Sequence, residues 1–241
     1  MTIGNRWIVA AALCAAAGAA QAGEFSSTLT ATSDYDFRGF SQSGNGPALQ
    51  ASADYAFDGG LYLGAWVSNV DFGGEENLEL DTYLGWAYEG ENGIAWDFGY
   101  VRYTYPSDDA DANYDELYAK VGYGNVGVEL WYSPDYAQTG QETWYYAGNA
   151  DFELAEGWAL NLHLGYNTGQ FFEQGFGAGG GAKDGSYFDY SVGVTKTIGN
   201  FDVSLRYVGL DIPKEYEIRD DVFNSENRLI LSVSTTLPWG D

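Results

Sequence analysis

Hydrophobic and polar residues alternate along most of the chain with a period of two. Between residues 25 and 37, Phe25, Leu29 and Ala31 share one set of positions, and Thr28 and Thr30 fall on the other. Successive side chains of a β-strand point to opposite faces, so the alternation predicts strands with one apolar and one polar face. The segments with this pattern are 25–37, 48–57, 61–70, 77–88, 94–105, 114–123, 126–133, 142–154, 158–167, 187–198, 201–210 and 226–237.

The connections between these segments alternate between short and long. The short ones carry the Gly and Asn residues that tight hairpin turns require, and they are 58–60, 89–93, 124–125, 155–157 and 199–200. The long ones are 38–46, 71–76, 106–113, 134–141, 168–186 and 211–225. Together they join about twelve strands. Short turns at one end and long loops at the other are typical of a transmembrane antiparallel up-and-down β-barrel with both termini on the periplasmic side.

Aromatic residues cluster at both ends of the predicted strands. A soluble β-sandwich or a lipocalin-like barrel also alternates with period two, but neither needs aromatic bands. Two aromatic girdles are what the two interfaces of a bilayer favour, and they support the membrane barrel. The predicted girdle beside the short turns contains Phe57, Trp86, Tyr88, Trp96, Phe152, Trp158 and Phe201. The predicted girdle beside the long loops contains Tyr35, Phe37, Tyr100, Tyr132, Trp144, Tyr146 and Tyr166.

The first 22 residues have the features of a secretory signal peptide. Arg6 precedes an apolar run from Trp7 to Ala20, and Ala20-Gln21-Ala22 has the small-x-small form of a cleavage site. The run is shorter than the ~20 residues that a spanning helix needs, which argues against a membrane anchor. We therefore expect residues 1–22 to be removed and residues 23–241 to form a single barrel domain.

The run SDYDFRGFSQS at residues 33–43 resembles the TorF family of porins from Gram-negative outer membranes. PALQ at 47–50, GAWVSNV at 64–70 and ELD at 79–81 follow in the order typical of that family. The resemblance implies an outer-membrane barrel that passes small solutes, with no established substrate and no functional residues to carry over. It also implies contact with outer-membrane lipids and with the barrel-assembly machinery, for which Trp239 is the candidate aromatic signal.

The composition excludes several classes of function. The chain carries 35 Asp and Glu residues against 10 Lys and Arg, a net charge of −25, whereas nucleic-acid binding relies on clustered Lys and Arg. One Cys and one His cannot form a structural zinc site or a disulfide framework. No nucleic acid, no metal and no cofactor are therefore expected, and no oligomeric state is indicated.

Charged side chains on the polar face are predicted to line the lumen of the barrel. The predicted lining residues are Asp34, Asp36, Arg38, Asp54, Glu79, Asp81, Asp97, Lys120, Glu129, Asp151, Glu153, Asp189, Asp202, Arg206 and Arg228. Acidic side chains outnumber basic ones, and carboxylates along a pore attract cations and repel anions. His163 also falls on the inner face, away from the lipid-facing wall where an outer-membrane lipase would act. A structural role for His163 is expected, and no enzyme activity.

Two states of the lumen are compatible with the pattern. Eight strands leave an interior just filled by side chains and sixteen leave an open channel, so twelve lies between the two. One interpretation is a narrow, cation-preferring pore for small solutes. The alternative is a plugged structural or binding barrel without conductance. The acidic run 108–116 lacks the glycine and the bidentate glutamate of an EF-hand, which indicates a solvated extracellular loop, with loose binding of divalent ions as the alternative.

Overall fold

Twelve long strands close into one antiparallel barrel in the computed structural model, which describes residues 23–106, 112–177, 183–219 and 222–239. The barrel strands are β1 (Glu24–Thr32), β4 (Ala48–Ala56), β5 (Leu61–Asn69), β6 (Leu78–Glu89), β7 (Ile94–Thr104), β8 (Tyr114–Tyr123), β9 (Val126–Ser133), β10 (Thr143–Ala155), β11 (Trp158–Thr168), β12 (Tyr187–Ile198), β13 (Phe201–Asp211) and β14 (Arg228–Leu237). Two short strands, β2 (Asp36–Phe37) and β3 (Phe40–Ser41), pair separately. The helical segments are α1 (Gln170–Glu173) and two 3₁₀ turns, Tyr136–Gln138 and Lys214–Tyr216. Among the described residues, no helix has both the length and the apolar character needed to cross a bilayer.

The strand order is that of an up-and-down barrel. Each barrel strand pairs with its neighbours in sequence, and β1 pairs with β14 to close the sheet, with Ala31 opposite Val233. Strand β6 shows the alternation directly: Leu80 and Leu84 are exposed on the outer face, whereas Glu79 and Asp81 are buried inside. The predicted fold class is therefore confirmed.

The connections alternate in length as predicted. Tight turns such as the one at Gly124, whose φ of 58° suits glycine, join strands at one end of the barrel, here called the short-turn end. Glu24 pairs with Ala56 and Ser27 with Leu237, so the first and last strands also begin and end there. The opposite half of the barrel, beside the long loops, is called the long-loop half.

Both ends of the outer wall carry aromatic side chains. At the short-turn end Trp86 stacks on Tyr88 with ring centroids 5.7 Å apart, and at the long-loop end Tyr132 packs on Trp144 at 4.3 Å. Between these bands the wall is apolar, and Leu84 in the middle of β6, for example, is 57% exposed. Most of the predicted girdle residues therefore lie on the outer wall.

The prediction that the first strand extends to residue 37 is wrong. Strand β1 stops at Thr32, and the chain turns into the barrel, so Tyr35 is 8% exposed inside and Phe37 packs against Tyr103 of the inner wall. These two residues do not belong to the outer girdle. The physical reason is that Arg228 on the inner wall binds the carboxylates of Asp34 and Asp36 and draws the chain inward.

Two predictions concern residues outside the described part of the chain. The signal peptide at 1–22 lies outside it, so the division of the chain at residue 22 stays a prediction. Residues 107–111 of the acidic loop also lie outside it, and the interpretation of that loop stays a prediction as well.

Candidate functional site

The inner wall at the short-turn end is polar and partly exposed to water. Asp151 accepts a hydrogen bond of 2.6 Å from Asn161 Nδ2, and Asp202 accepts one of 2.6 Å from Thr197 Oγ1. Both carboxylates are only half-buried. This half of the lumen therefore presents negative charge to water.

A chain of hydrogen bonds runs around the middle of the inner wall. Glu129 accepts bonds from Trp131 Nε1 at 2.9 Å and from Asn149 Nδ2 at 2.8 Å, and its carboxylate is 3.9 Å from Lys120 Nζ. Trp131 lies two residues after Glu129 on β9, so its side chain points to the same inner face. This inward tryptophan is therefore part of the polar network.

His163 continues this network toward the long-loop half. Its Nδ1 is 2.7 Å from Asn149 Oδ1, and its Nε2 is 2.8 Å from Asp189 Oδ1. Tyr145 Oη donates to the same Asp189 oxygen at 3.1 Å. Both ring nitrogens are thus engaged by neighbouring inner-wall side chains, which agrees with the structural role expected for this histidine.

In the long-loop half, residues 33–47 fold across the lumen and are called the inner loop. Arg38 donates a hydrogen bond of 2.7 Å from Nη2 to Glu116 Oε2, and its guanidinium lies 4.2 Å from the ring centre of Tyr145. These partners stand on β8 and β10, on the far side of the barrel from β1 in the strand order. The inner loop therefore crosses the full width of the lumen.

Arg228 anchors the base of the inner loop. Its guanidinium binds Asp34 and lies 2.7 Å from Asp36 Oδ1, and Nη1 also donates to the carbonyl oxygen of Gly39 at 2.8 Å. Ser41 Oγ donates to Asp34 at 2.6 Å. All three charged side chains are at most 12% exposed, so this cluster is buried.

Burial affects the charged groups of the inner loop in opposite ways. Burial alone would lower the pKa of the Arg38 guanidinium, but the charge and hydrogen bond of Glu116 hold that pKa well above its ordinary value. Arg38 therefore stays charged. Burial raises the pKa of the Asp36 carboxyl, and the nearby charges of Arg228 and Arg206 oppose this rise.

Aromatic side chains fill the space around the inner loop. Tyr35 packs edge-on against Trp66 with ring centroids 5.3 Å apart, within a buried cluster that includes Tyr103. Phe40, just after the tip of the loop, packs against Tyr187 at 5.4 Å and belongs to a second cluster with Phe172 from α1. The long-loop half is thus closed by packed side chains.

Three carboxylates are buried next to the inner loop. Glu79, Asp81 and Glu116 are each 1% exposed. Tyr35 Oη donates to Glu79 Oε1 at 3.1 Å and Tyr103 Oη to Glu116 Oε2 at 3.0 Å, whereas Glu116 Oε1 has no hydrogen-bond partner in the described part of the chain. Within the described residues, no group of three or more His, Cys, Asp or Glu side chains is placed to hold a metal ion.

The predicted lining residues separate into two groups. The first group lies on the inner wall toward the short-turn end, here called the hydrated half. Its members are Asp54, Asp97, Lys120, Glu129, Asp151, Glu153, Asp202 and Arg206. Those in or around the inner loop are Asp34, Asp36, Arg38, Glu79, Asp81, Asp189 and Arg228. The prediction from the sequence did not include Glu116. This residue stands four positions before Lys120 on β8 and so points to the same inner face, which means that the alternation could have identified it.

Solved porins share this fold. The KdgM porin superposes with a TM-score of 0.54 at 10% identity, covering 87% of this chain and 98% of that one. The NanC porin gives a TM-score of 0.56 at 10% identity, covering 88% and 99%. At this identity the likeness concerns the fold alone. No curated protein matches the chain by sequence.

One family model matches almost the whole chain, over residues 16–237. Its description is "bacterial protein of unknown function (Gcw_chp)". That description does not mention TorF, so the resemblance to the TorF porins stays a prediction. Because the match covers well over half of the sequence, the chain belongs to the Gcw_chp family.

Proposed function

We propose that the protein is an outer-membrane channel for the passive passage of small solutes, with a preference for cations. The observation that carries the proposal is the contrast between the two walls of the closed barrel. The outer wall is apolar, with Leu49 and Leu205 exposed, and the inner wall carries carboxylates such as Asp151 and Asp202. A closed barrel with this contrast suits a bilayer outside and water inside.

The outer wall supports a place in the Gram-negative outer membrane. Soluble proteins rarely expose apolar patches larger than a few hundred Å², whereas this wall is apolar around the barrel and bordered by aromatic bands. Outer-membrane lipids and the barrel-assembly machinery are then the expected partners. Both termini would be periplasmic, because short turns face the periplasm in bacterial barrels.

The charge of the inner wall supports the preference for cations. Asp54, Asp97, Asp151 and Asp202 are half-exposed in the hydrated half, and Arg206 is a basic residue among them. A low-dielectric wall focuses the field of such charges along the axis. One solved KdgM porin is described as a complex with disordered oligogalacturonate, which is a polyanion. We expect an acidic wall to repel a solute of that kind.

Neutralising exposed lumen carboxylates should weaken the selectivity. Asp151→Asn with Asp202→Asn keeps an amide oxygen as acceptor for Asn161 and Thr197 but removes two charges. The reversal potential in a salt gradient across a planar bilayer should move toward zero, most clearly at low salt, where the Debye length is ~10 Å.

The matched control removes two carboxylates from the long loops. Glu75→Gln with Glu226→Gln, both at exposed positions, should change the reversal potential less. An equal shift in both double variants would count against selection inside the lumen.

The orientation can be tested with trypsin on intact cells. Lys183 and Lys214 lie exposed in long loops, and Asn125→Lys adds a site in a short turn. If long loops face outward, cleavage is expected near Lys183 or Lys214 and not at position 125. Cutting at position 125 in sealed cells, with permeabilised cells as the positive control, would reverse the orientation.

A plugged barrel without conductance is the second candidate. The observation that favours it is the inner loop, which crosses the lumen from β1 to Glu116. A barrel of this kind would serve as a structural element or as a binding surface through its acidic loops. Single-channel conductance of the purified protein separates the two candidates, because the second predicts none.

A further inference from the structure

We infer that the inner loop is a displaceable plug, and that the ion pair between Arg38 and Glu116 is the latch that holds it across the lumen. The inference rests on the proposed channel function and says how that channel would open. Nothing in the family description assigns a role to this loop.

The loop occupies the space that a solute would have to cross. Ser41 is 0% exposed, Tyr35 8% and Phe40 9%, although all three lie in the connection between the barrel strands β1 and β4. Side chains on opposite walls hold them, namely Trp66 against Tyr35 and Tyr187 against Phe40. Passage through the long-loop half therefore requires the loop to move.

The loop is attached differently at its base and at its tip. At the base, Arg228 binds Asp34 and Asp36, which follow directly after β1. At the tip, the Arg38 side chain binds Glu116 on the far wall. Tyr187 Oη also donates to the Arg38 carbonyl oxygen at 3.1 Å, and Phe37 packs against Tyr103. Breaking the ion pair would remove the charged attachment of the tip and leave the clamp at the base in place.

The closed position carries costs that an open position would relieve. Arg38 has a φ of 50°, a left-handed conformation that non-glycine residues adopt rarely and that is often found in switch regions. Glu116 Oε1 lacks a hydrogen-bond partner among the described residues while the loop is in place. Water would satisfy this oxygen once the loop withdrew, because a buried polar group without a partner is destabilising.

Thiol labelling reports the motion of the loop without any current. Phe40→Cys, next to the tip of the loop, would be the only cysteine of residues 23–241, since the single natural one is Cys14. With a small water-soluble methanethiosulfonate reagent, this cysteine should react slowly but to completion, and about tenfold faster when Glu116→Gln is added, because the buried latch is then broken. Thr139→Cys, at an exposed position, is the control for full reactivity.

Two further controls keep the labelling interpretable. Glu217→Gln removes a carboxylate that is 27% exposed and binds Arg219, and it should leave the rate at Phe40→Cys unchanged. Each variant should retain the gel mobility of a folded barrel in unheated SDS samples. A rate that Glu116→Gln does not change, or a cysteine that never reacts, would overturn the inference.

A disulfide then links the motion to conductance. An ideal Cβ at Gly44 lies 3.4 Å from Asp71 Cβ, close to the ~3.5–4.5 Å spacing of a disulfide, so Gly44→Cys with Asp71→Cys can tie the inner loop to the connection that follows β5. We expect the oxidised protein to lose its conductance and the reduced protein to regain it. Equal conductance in both forms would refute the plug.

The two experiments distinguish failure of the plug from failure of the proposed function. Latch-dependent labelling without conductance in any form would support a moving loop and reject the channel. Conductance that survives oxidation, with no effect of the latch on labelling, would support the channel and reject the plug.

Discussion

Replacing Arg228 with alanine should lower the free energy of unfolding of the barrel by about 3–5 kcal/mol. The guanidinium neutralises Asp34 and Asp36, whose side chains are only 6% and 11% exposed. Without it, two carboxylates remain buried with no opposing charge on β14. Urea unfolding of the purified protein in lipid vesicles, followed by tryptophan fluorescence, measures the loss.

Arg219 provides a matched control for this substitution. It also contacts two carboxylates, Glu217 at 2.6 Å and Glu226 at 3.9 Å, but its own side chain is 62% exposed. Exposed ion pairs contribute about 0–1 kcal/mol, so Arg219→Ala should have little effect. Similar losses for the two alanine variants would show that burial of the Arg228 cluster does not matter.

Replacing Leu205 with arginine should lower the free energy of unfolding in a bilayer by about 2–4 kcal/mol. Leu205 is 45% exposed on the outer wall near the middle of β13, so an arginine there would face hydrocarbon if the protein spans a membrane. The cost is measured by the same urea titration in vesicles.

The neighbouring position on the same strand is the control. Ser204 is half-buried on the inner wall, opposite Thr195 and Ser232 and close in sequence to Asp202. An arginine there can reach water and carboxylates, so Ser204→Arg should cost clearly less than Leu205→Arg. If the inner substitution were as costly as the outer one, the two-faced account of the wall would be wrong.

Most of the barrel could be predicted from the sequence because its determinants are local. A strand can be recognised from the alternation of apolar and polar residues over a short segment. A tight turn can be recognised from its Gly and Asn residues, as at Gly124 and Asn125. The predicted segments 114–123, 126–133 and 187–198 agree with β8, β9 and β12 at both ends. Trp66 and Trp131 stand at inward positions of the same alternation and are buried inside the barrel.

The inner loop could not be predicted because its determinants are distant in the sequence. The alternation continues past Thr32 through Tyr35 and Phe37, so a local pattern extends the strand. What ends the strand is Arg228, which is 194 residues away from its partner Asp34. Packing of the loop against the far wall likewise depends on Glu116, on a strand that the sequence does not place next to it.

The alternation of side chains along the strands predicted which charged side chains point inward, but not which of them are exposed to water. Asp202 and Glu79 both point inward, Asp202 at the short-turn end and Glu79 in the long-loop half. Asp202 is half-exposed, whereas Glu79 is 1% exposed because Tyr35 and the inner loop cover it. Ion selection is therefore expected to depend on Asp202 and its neighbours more than on Glu79 and Asp81.

The reversal potential of the purified wild-type protein in a KCl gradient tests the central claim most directly. An acidic lumen predicts a small conductance with a reversal potential of the sign given by cation flow, large near 0.1 M salt and fading toward 1 M, as the Debye length falls from ~10 Å to ~3 Å. A reversal potential of the opposite sign would contradict a cation-preferring channel. The absence of conductance in both the wild type and the Glu116→Gln variant would contradict it as well.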